Sequence, residues 1–158
     1  MGKDYRYISE NTLQYVYLHD CGCRHMHCID HRLIFEMEWM EILREHPLNP
    51  FPHAHQSEEG RIELFDPKIV ECTLAVNGSE EICGVDDVRD LDYCELEFLK
   101  YEETYGVEKP GVYRADMYMI FDKASHFRDI SMSIEYRKSL VMWDDLKEVS
   151  WFEDLDGK

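Results

Sequence analysis

Histidines and cysteines that could bind a metal are concentrated in one short run of the sequence. Seven of the eight histidines lie in the first 55 residues, and the densest run is HDCGCRHMHC at residues 19–28. If this run is a β-strand, Cys21, Cys23, His25 and His27 project from one face, because alternate side chains of a strand share a face. Thiolate and imidazole are preferred ligands of zinc. One interpretation of the run is therefore a zinc surface.

A second interpretation of the same run needs no metal. A two-residue turn at Asp30–His31 would place His25 opposite Glu36 and Cys23 opposite Glu38 on the following strand. Structural zinc sites usually take two cysteines from a C-x-x-C turn, and the sequence contains no such pair. The alternative is a surface of solvent-facing His–Glu cross-strand pairs with half-buried thiols behind it.

Another set of metal-binding residue types stands at His53, His55 and Glu59, with the spacing H-x-H-x3-E. This spacing resembles the first metal motif of the cupin family, in which two histidines and a glutamate hold a divalent metal inside a β-barrel. The resemblance implies that the three residues bind zinc, iron, nickel or manganese and leave one coordination position open. Pro47 and Asp66 stand where the family's motif has glycines. The alternative is a solvated loop that binds no metal.

Other chemistries have no motif in this sequence. It contains no G-x-S-x-G nucleophile turn, no P-loop and no dinucleotide-binding fingerprint. The acidic stretch at residues 86–97 lacks the oxygen-ligand spacing of an EF-hand calcium loop, which favours a solvated acidic edge. We therefore expect a protein that is not an enzyme and has no cofactor, unless the H-x-H-x3-E motif holds a divalent metal.

The net charge of the chain indicates which classes of molecule it could bind. The 158 residues include 34 acidic and 17 basic side chains, which gives a formal net charge of −17. Such a surface repels phosphate backbones, so we do not expect this protein to bind nucleic acid. The leading hypothesis is a non-enzymatic module that binds a basic protein partner, similar in size and charge to small bacterial immunity-type proteins. The alternative is a cupin-like metal-binding β-barrel, which could be an enzyme. The sequence does not predict an oligomeric state.

Several features predict a cytoplasmic protein. No segment has the roughly 20 apolar residues that a membrane-spanning helix needs. The first residues, MGKDYRYISENTLQ, lack the apolar core of a secretory signal. A domain of this length does not need disulfides for stability, so we interpret all six cysteines as thiols. They are Cys21, Cys23, Cys28, Cys72, Cys83 and Cys94.

Period-two alternation of apolar residues recurs along the chain and predicts strands with one buried face. We expect one domain over residues 1–158, mainly β, folded as an antiparallel two-layer sandwich or a partly open barrel with at most one or two short helices. Strands are predicted at 15–28, 33–39, 61–65, 69–76, 93–101, 113–121, 128–136 and 139–143, with a loop at 102–111. The last three are predicted to form a meander, and Asn77-Gly78 a hairpin turn.

Two segments leave a choice open. Residues 34–46 contain good helix formers before Pro47, so an α+β fold with a helix at 34–46 is the alternative to a strand there. The prolines of residues 46–55 predict an irregular, rigid loop.

Near the C-terminus, we expect Trp151 and Phe152 to dock back onto the sheet, and the alternative is contact with a partner.

Overall fold

A computed structural model describes residues 4–76, 79–82, 91–104, 111–123 and 126–153. Within these ranges the chain is built from strands, with a single 3-10 turn at Leu13–Tyr15. The strands are β1 Tyr7–Glu10, β2 Val16–Tyr17, β3 Cys21–Ile29, β4 Arg32–Met37, β5 Glu41–Ile42, β6 His55–Ser57, β7 Gly60–Phe65, β8 Lys68–Val76, β9 Ser79–Ile82, β10 Leu91–Thr104, β11 Val112–Lys123, β12 His126–Tyr136, β13 Lys138–Trp143 and β14 Leu146–Val149. The predicted mainly β fold is confirmed.

The strands form two antiparallel sheets. The large sheet has ten strands in the order β1-β13-β7-β4-β3-β10-β11-β12-β8-β9, and the small sheet has four in the order β14-β6-β5-β2. Neither sheet closes into a barrel within the described ranges. Val16 and Ile42 of the small sheet share one buried apolar cluster with Phe35 and Trp143 of the large sheet. The two sheets therefore enclose a common core, as in a sandwich.

Alternation of apolar and polar residues explains the longest strands. In β11 and β12, Met117 lies opposite Met132 and Met119 lies opposite Ile130. All four side chains are buried, whereas Tyr118 between them is only half-buried. A one-residue slip would move every one of these apolar side chains to the other face, so the pattern fixes the register.

The predicted meander at residues 113–143 is wrong in its last strand. Strand β12 pairs with β8, whereas β13 pairs with β7 and β1. The cause is a corner in the sheet. The chain breaks between β7 and β8 at Asp66–Pro67, and it breaks between β12 and β13 at Arg137. The two breaks lie side by side, because the Arg137 N–H donates to the Phe65 carbonyl at 2.9 Å. Asp66 has a positive φ of 51°, and Pro67 has no N–H for the ladder. Both strand pairs therefore turn together at this point.

The helix alternative at residues 34–46 is wrong. Strand β4 occupies the beginning of the segment and β5 lies near its end, connected through Trp39 and Met40. Phe35 and Met37 are buried while Glu36 is half-buried, so the period of two outweighs the helix propensity of individual residues. The predicted turn at Asp30–His31 is confirmed, with φ values of 51° and 58° that suit a type I′ hairpin.

The predicted single strand at 15–28 is wrong, because the chain forms β2 in the small sheet and β3 in the large sheet, separated by residues 18–20. The other predicted strands differ mainly at their ends. The irregular loop before β6 is confirmed, and β10 continues to Thr104 into the predicted loop at 102–111. The predicted turn at Asn77-Gly78 and most of the acidic stretch lie outside the described residues, although β8 and β9 pair as that turn requires. Within the described ranges, we find no helix that is both long and apolar enough to cross a bilayer.

Candidate functional site

The three residues of the H-x-H-x3-E motif have separate partners. His53 Nδ1 lies 3.7 Å from Glu153 Oε2, and His55 Nδ1 lies 2.7 Å from the Lys147 carbonyl oxygen. Glu59 pairs with an arginine of β3 at 3.2 Å. Among the residues that the structure describes, no group of three or more His, Cys, Asp or Glu side chains is arranged to hold a metal ion. Metal binding by the motif stays a prediction.

The histidines and cysteines of strand β3 do not share a face. Cys21 and Cys23 are completely buried in the core, whereas His25 and His27 are half-buried on the opposite, outer face with their rings 5.0 Å apart. The cause is a β-bulge between Cys23 and His25, where β3 has one residue more than β4. The prediction that these four side chains project from one face is therefore wrong.

The bulge also decides the cross-strand pairs. His25 lies opposite Glu36, as predicted. Cys23 lies opposite Met37 instead of Glu38, because the extra residue shifts the pairing by one position. Carboxylate, imidazole and thiolate are consequently not brought together on this surface.

The outer face of β3, β4 and β7 carries a charged ladder, formed by Arg32, Glu36, Arg61 and Glu63. Arg61 Nη2 lies 2.8 Å from Glu36 Oε1, and Arg32 Nη1 lies 2.7 Å from Glu63 Oε1. His27 Nε2 is 3.7 Å from Glu36 Oε1. Each glutamate thus has an arginine within 3 Å. This favours the interpretation of the surface as cross-strand ion pairs over its interpretation as a metal site.

One cysteine differs from the sequence interpretation. Cys21 and Cys23 are thiols, and burial together with the negative charge of Glu41 raises the pKa of Cys21 far above its ordinary range, which makes it a poor nucleophile. Cys72 is disulfide-bonded. The prediction that all six cysteines are thiols is therefore wrong at Cys72.

A pocket of about 330 Å³ lies beside the small sheet, and we call it the aromatic–acidic pocket. Two carboxylates, two indole rings, an imidazole and an amide line it, and no lysine or arginine is among these described lining residues. They are His19, Asp20, Trp39, Glu41, Gln56 and Trp151. The pocket therefore combines negative charge with flat apolar surface.

Strand pairing in the small sheet places the polar residues of this pocket in a row. Tyr17 of β2 lies opposite Glu41 of β5, and Glu41 lies opposite Gln56 of β6. Directly paired residues of an antiparallel sheet project to the same face. Their neighbours Val16 and Ile42 project to the other face and are buried in the core. Glu41 therefore points away from the core.

Glu41 is nevertheless almost completely buried, with 1% of its surface exposed. Neither of its carboxylate oxygens has a hydrogen-bond partner among the described residues. Burial raises the pKa of Glu41, and the charge of Glu148 raises it further. Polar contacts with Ser150 and Trp39, which fall short of hydrogen bonds in geometry, act in the opposite direction.

Aromatic side chains form the walls around Glu41. Trp39 packs against Gly22, where an added Cβ would lie 3.0 Å from the Trp39 ring, so this wall depends on the glycine. Trp151 is 65% exposed, and its ring centroid lies 6.5 Å from that of Tyr17. Phe152 packs edge-on against Tyr17 at 5.1 Å. The aromatic pair docks onto the small sheet as predicted, and its tryptophan remains accessible at the pocket.

The mouth of the pocket is also acidic. His19 lies between two carboxylates, with Nε2 3.2 Å from Asp20 and Nδ1 2.9 Å from Glu97. Both ring nitrogens of His19 are therefore directed at carboxylates other than that of Glu41. Glu41 has no cationic side chain of its own in the lining of the pocket.

Sequence reasoning overlooked this pocket. The segment Trp39-Met40-Glu41-Ile42 contained the signal, because in a strand Trp39 and Glu41 share a face opposite the buried Met40 and Ile42. A carboxylate within an apolar run is an exception worth examining. Trp151, more than 100 residues away along the chain, could be added only from the fold.

No family model matches this chain, and comparisons with curated proteins and with solved structures also find no match. A function for this chain must therefore be inferred from the geometry and chemistry of the site.

Proposed function

We propose that this chain is a non-enzymatic interaction module that binds a basic protein partner and covers part of that partner's surface, in the manner of immunity-type proteins. The single observation that supports this best is the aromatic–acidic pocket, whose carboxylates Asp20 and Glu41 face a space lined by no lysine or arginine. The net charge of −17 acts in the same direction, because it attracts a basic partner over a longer range.

The composition of the pocket suits a protein interface. Fully buried interface centres are rich in tryptophan and tyrosine, which contribute large apolar areas with few rotatable bonds. Trp151, which lines the pocket, is exposed, and so is its neighbour Tyr17. A partner that covered these rings would remove apolar surface from water and bring its own charge to the carboxylates.

The proposal is tested by affinity capture with the tagged full chain. Captured proteins are identified, purified and titrated against the chain by calorimetry at low and high salt. We expect a basic partner, a defined stoichiometry and an affinity that falls as salt rises. A Glu45→Gln variant, which removes an exposed charge outside the pocket lining, serves as the control for net charge. A partner without net positive charge, or binding insensitive to salt, would overturn the proposal.

The cytoplasmic location stays a prediction, and the disulfide at Cys72 argues against it, because disulfides are rare in reducing compartments. Because Cys72 is only 6% exposed, the protein is alkylated after denaturation and without reduction, and mass spectrometry then shows whether Cys72 was a thiol or paired. Complete alkylation of Cys72 supports the cytoplasm, and protection of Cys72 until reduction supports an oxidising location.

A further inference from the structure

The two carboxylate oxygens of Glu41 are buried hydrogen-bond acceptors without donors in the described part of the chain. They lie in a carboxylate that is 1% exposed, in the wall of a 330 Å³ pocket, and neither accepts a hydrogen bond from the described residues. Leaving buried acceptors without donors is costly, and native structures rarely do so without a functional reason. Among the described residues only Ser150 and Trp39 approach this carboxylate with donors, and neither makes a close hydrogen bond, so a donor from a partner would complete its hydrogen bonding.

The surroundings restrict the kind of donor. A carboxylate whose two oxygens both lack a hydrogen-bond partner matches the parallel N–H groups of a guanidinium, which binds it in a two-point fork. Guanidinium is also planar and weakly hydrated, so it stacks on indole rings and loses little on leaving water. Trp39 and Trp151 provide such rings in the same pocket. An ammonium group is more strongly hydrated and makes no fork.

We propose that the aromatic–acidic pocket binds one arginine side chain, with the guanidinium on Glu41 and the indole rings of Trp39 and Trp151 against its plane and stem. Asp20 and Gln56 supply further acceptors in the lining. This inference rests on the proposed function, since the arginine belongs to the basic protein partner. It adds the residue type that the partner must present and the place where it binds.

The first experiment uses a small probe and the full chain. Arginine capped at both termini is titrated at constant ionic strength, and binding is followed by tryptophan fluorescence and by amide chemical shifts. We expect saturable binding with shifts confined to the pocket, weaker binding of capped lysine, and no binding of capped citrulline, which has the same shape without the charge. Equal effects of arginine and citrulline, or shifts spread over the surface, would overturn the inference.

Variants link the signal to the pocket. Glu41→Gln keeps the size of the side chain and removes the charge, and we expect capped arginine to bind about tenfold more weakly or worse. Trp151→Ala removes an exposed ring and should also weaken binding without unfolding the protein. Phe51→Ala, which removes another exposed aromatic ring outside the pocket lining, is the matched control and should bind like the original protein. Unchanged affinity in Glu41→Gln would overturn the inference.

The same variants separate this inference from the proposed function. If a basic partner is captured and binds Glu41→Gln as tightly as the original chain, the arginine pocket is wrong and the interaction module stands. If capped arginine binds but the captured partner has no net positive charge, the pocket stands and the proposed function fails.

Discussion

Glu63 and Glu41 are two buried glutamates of this protein with opposite surroundings. Glu63, 4% exposed in the charged ladder, has Arg32 Nη1 at 2.7 Å and Arg61 at 3.6 Å. Glu41, 1% exposed, has no lysine or arginine among the described residues that line its pocket. The fold thus supplies cations to one buried carboxylate and withholds them from the other. The difference indicates that the charge of Glu41 serves something other than the stability of this chain.

Removing a cation from the charged ladder tests whether the arginines around Glu63 stabilise the fold. Arg61→Gln leaves Glu36 and Glu63 with one arginine fewer, and we expect the free energy of unfolding to fall by about 2 kcal/mol. Urea denaturation measures this. Arg44→Gln, which breaks an exposed pair, should change stability by no more than about 0.5 kcal/mol. Equal effects of the two variants would show that the ladder is not stabilising.

The opposite change is expected at the pocket. Glu41→Gln removes a buried charge that has no partner, and we expect it to stabilise the chain by about 1 kcal/mol at neutral pH while it weakens binding of capped arginine. Urea denaturation of both proteins at neutral pH checks the sign. A gain in stability with a loss of binding is typical of a functional site. A large loss of stability would instead mean that Glu41 holds the fold together.

The pH dependence of that difference gives a finer test. Burial raises the folded-state pKa of Glu41 above the ordinary glutamate value, so over a range of pH the folded state holds a proton that the unfolded state releases. The stability of the original chain should therefore fall, relative to Glu41→Gln, as pH rises from about 4.5 through the folded pKa. His46, whose pKa burial lowers to about 4, contributes the opposite slope but is present in both proteins and cancels. A difference that is constant with pH would contradict the assignment.

The smallest expected signal concerns metal. Because His53, His55 and Glu59 have separate partners, we expect zinc, iron, nickel and manganese to be well below one atom per chain in protein never exposed to chelator. Elemental analysis of the purified protein measures this. Stoichiometric metal that is lost in His55→Ala would restore the cupin-like alternative.

The sequence predicted the sheets well where alternation was uninterrupted. Met117 and Met119 marked a buried face that β11 and β12 share in the expected register, because burial requires a period of two. The bulge after Cys23 was not predicted, nor was the change of pairing partner at the corner near Asp66. Both depend on one extra or one left-handed residue whose position is fixed by pairing with distant strands.

The pocket was beyond sequence reasoning for a different reason. Tyr17, Glu41 and Gln56 meet in one row only because three short strands pair, two of them only two residues long. Such strands carry almost no periodic signal. The histidine-rich motifs drew attention by composition, yet the pocket is formed around a buried glutamate and two tryptophans.

Whether Glu41 carries a charge reserved for an external cation can be read from the NMR resonance of its side-chain carboxyl carbon. Titration of the ¹³C-labelled full chain by NMR should show a pKa for Glu41 above the ordinary glutamate value, since burial disfavours its ionised form. Saturation with capped arginine should lower that pKa, because a bound guanidinium favours the carboxylate. A pKa that is ordinary in the free protein, or unchanged by arginine, would contradict the account.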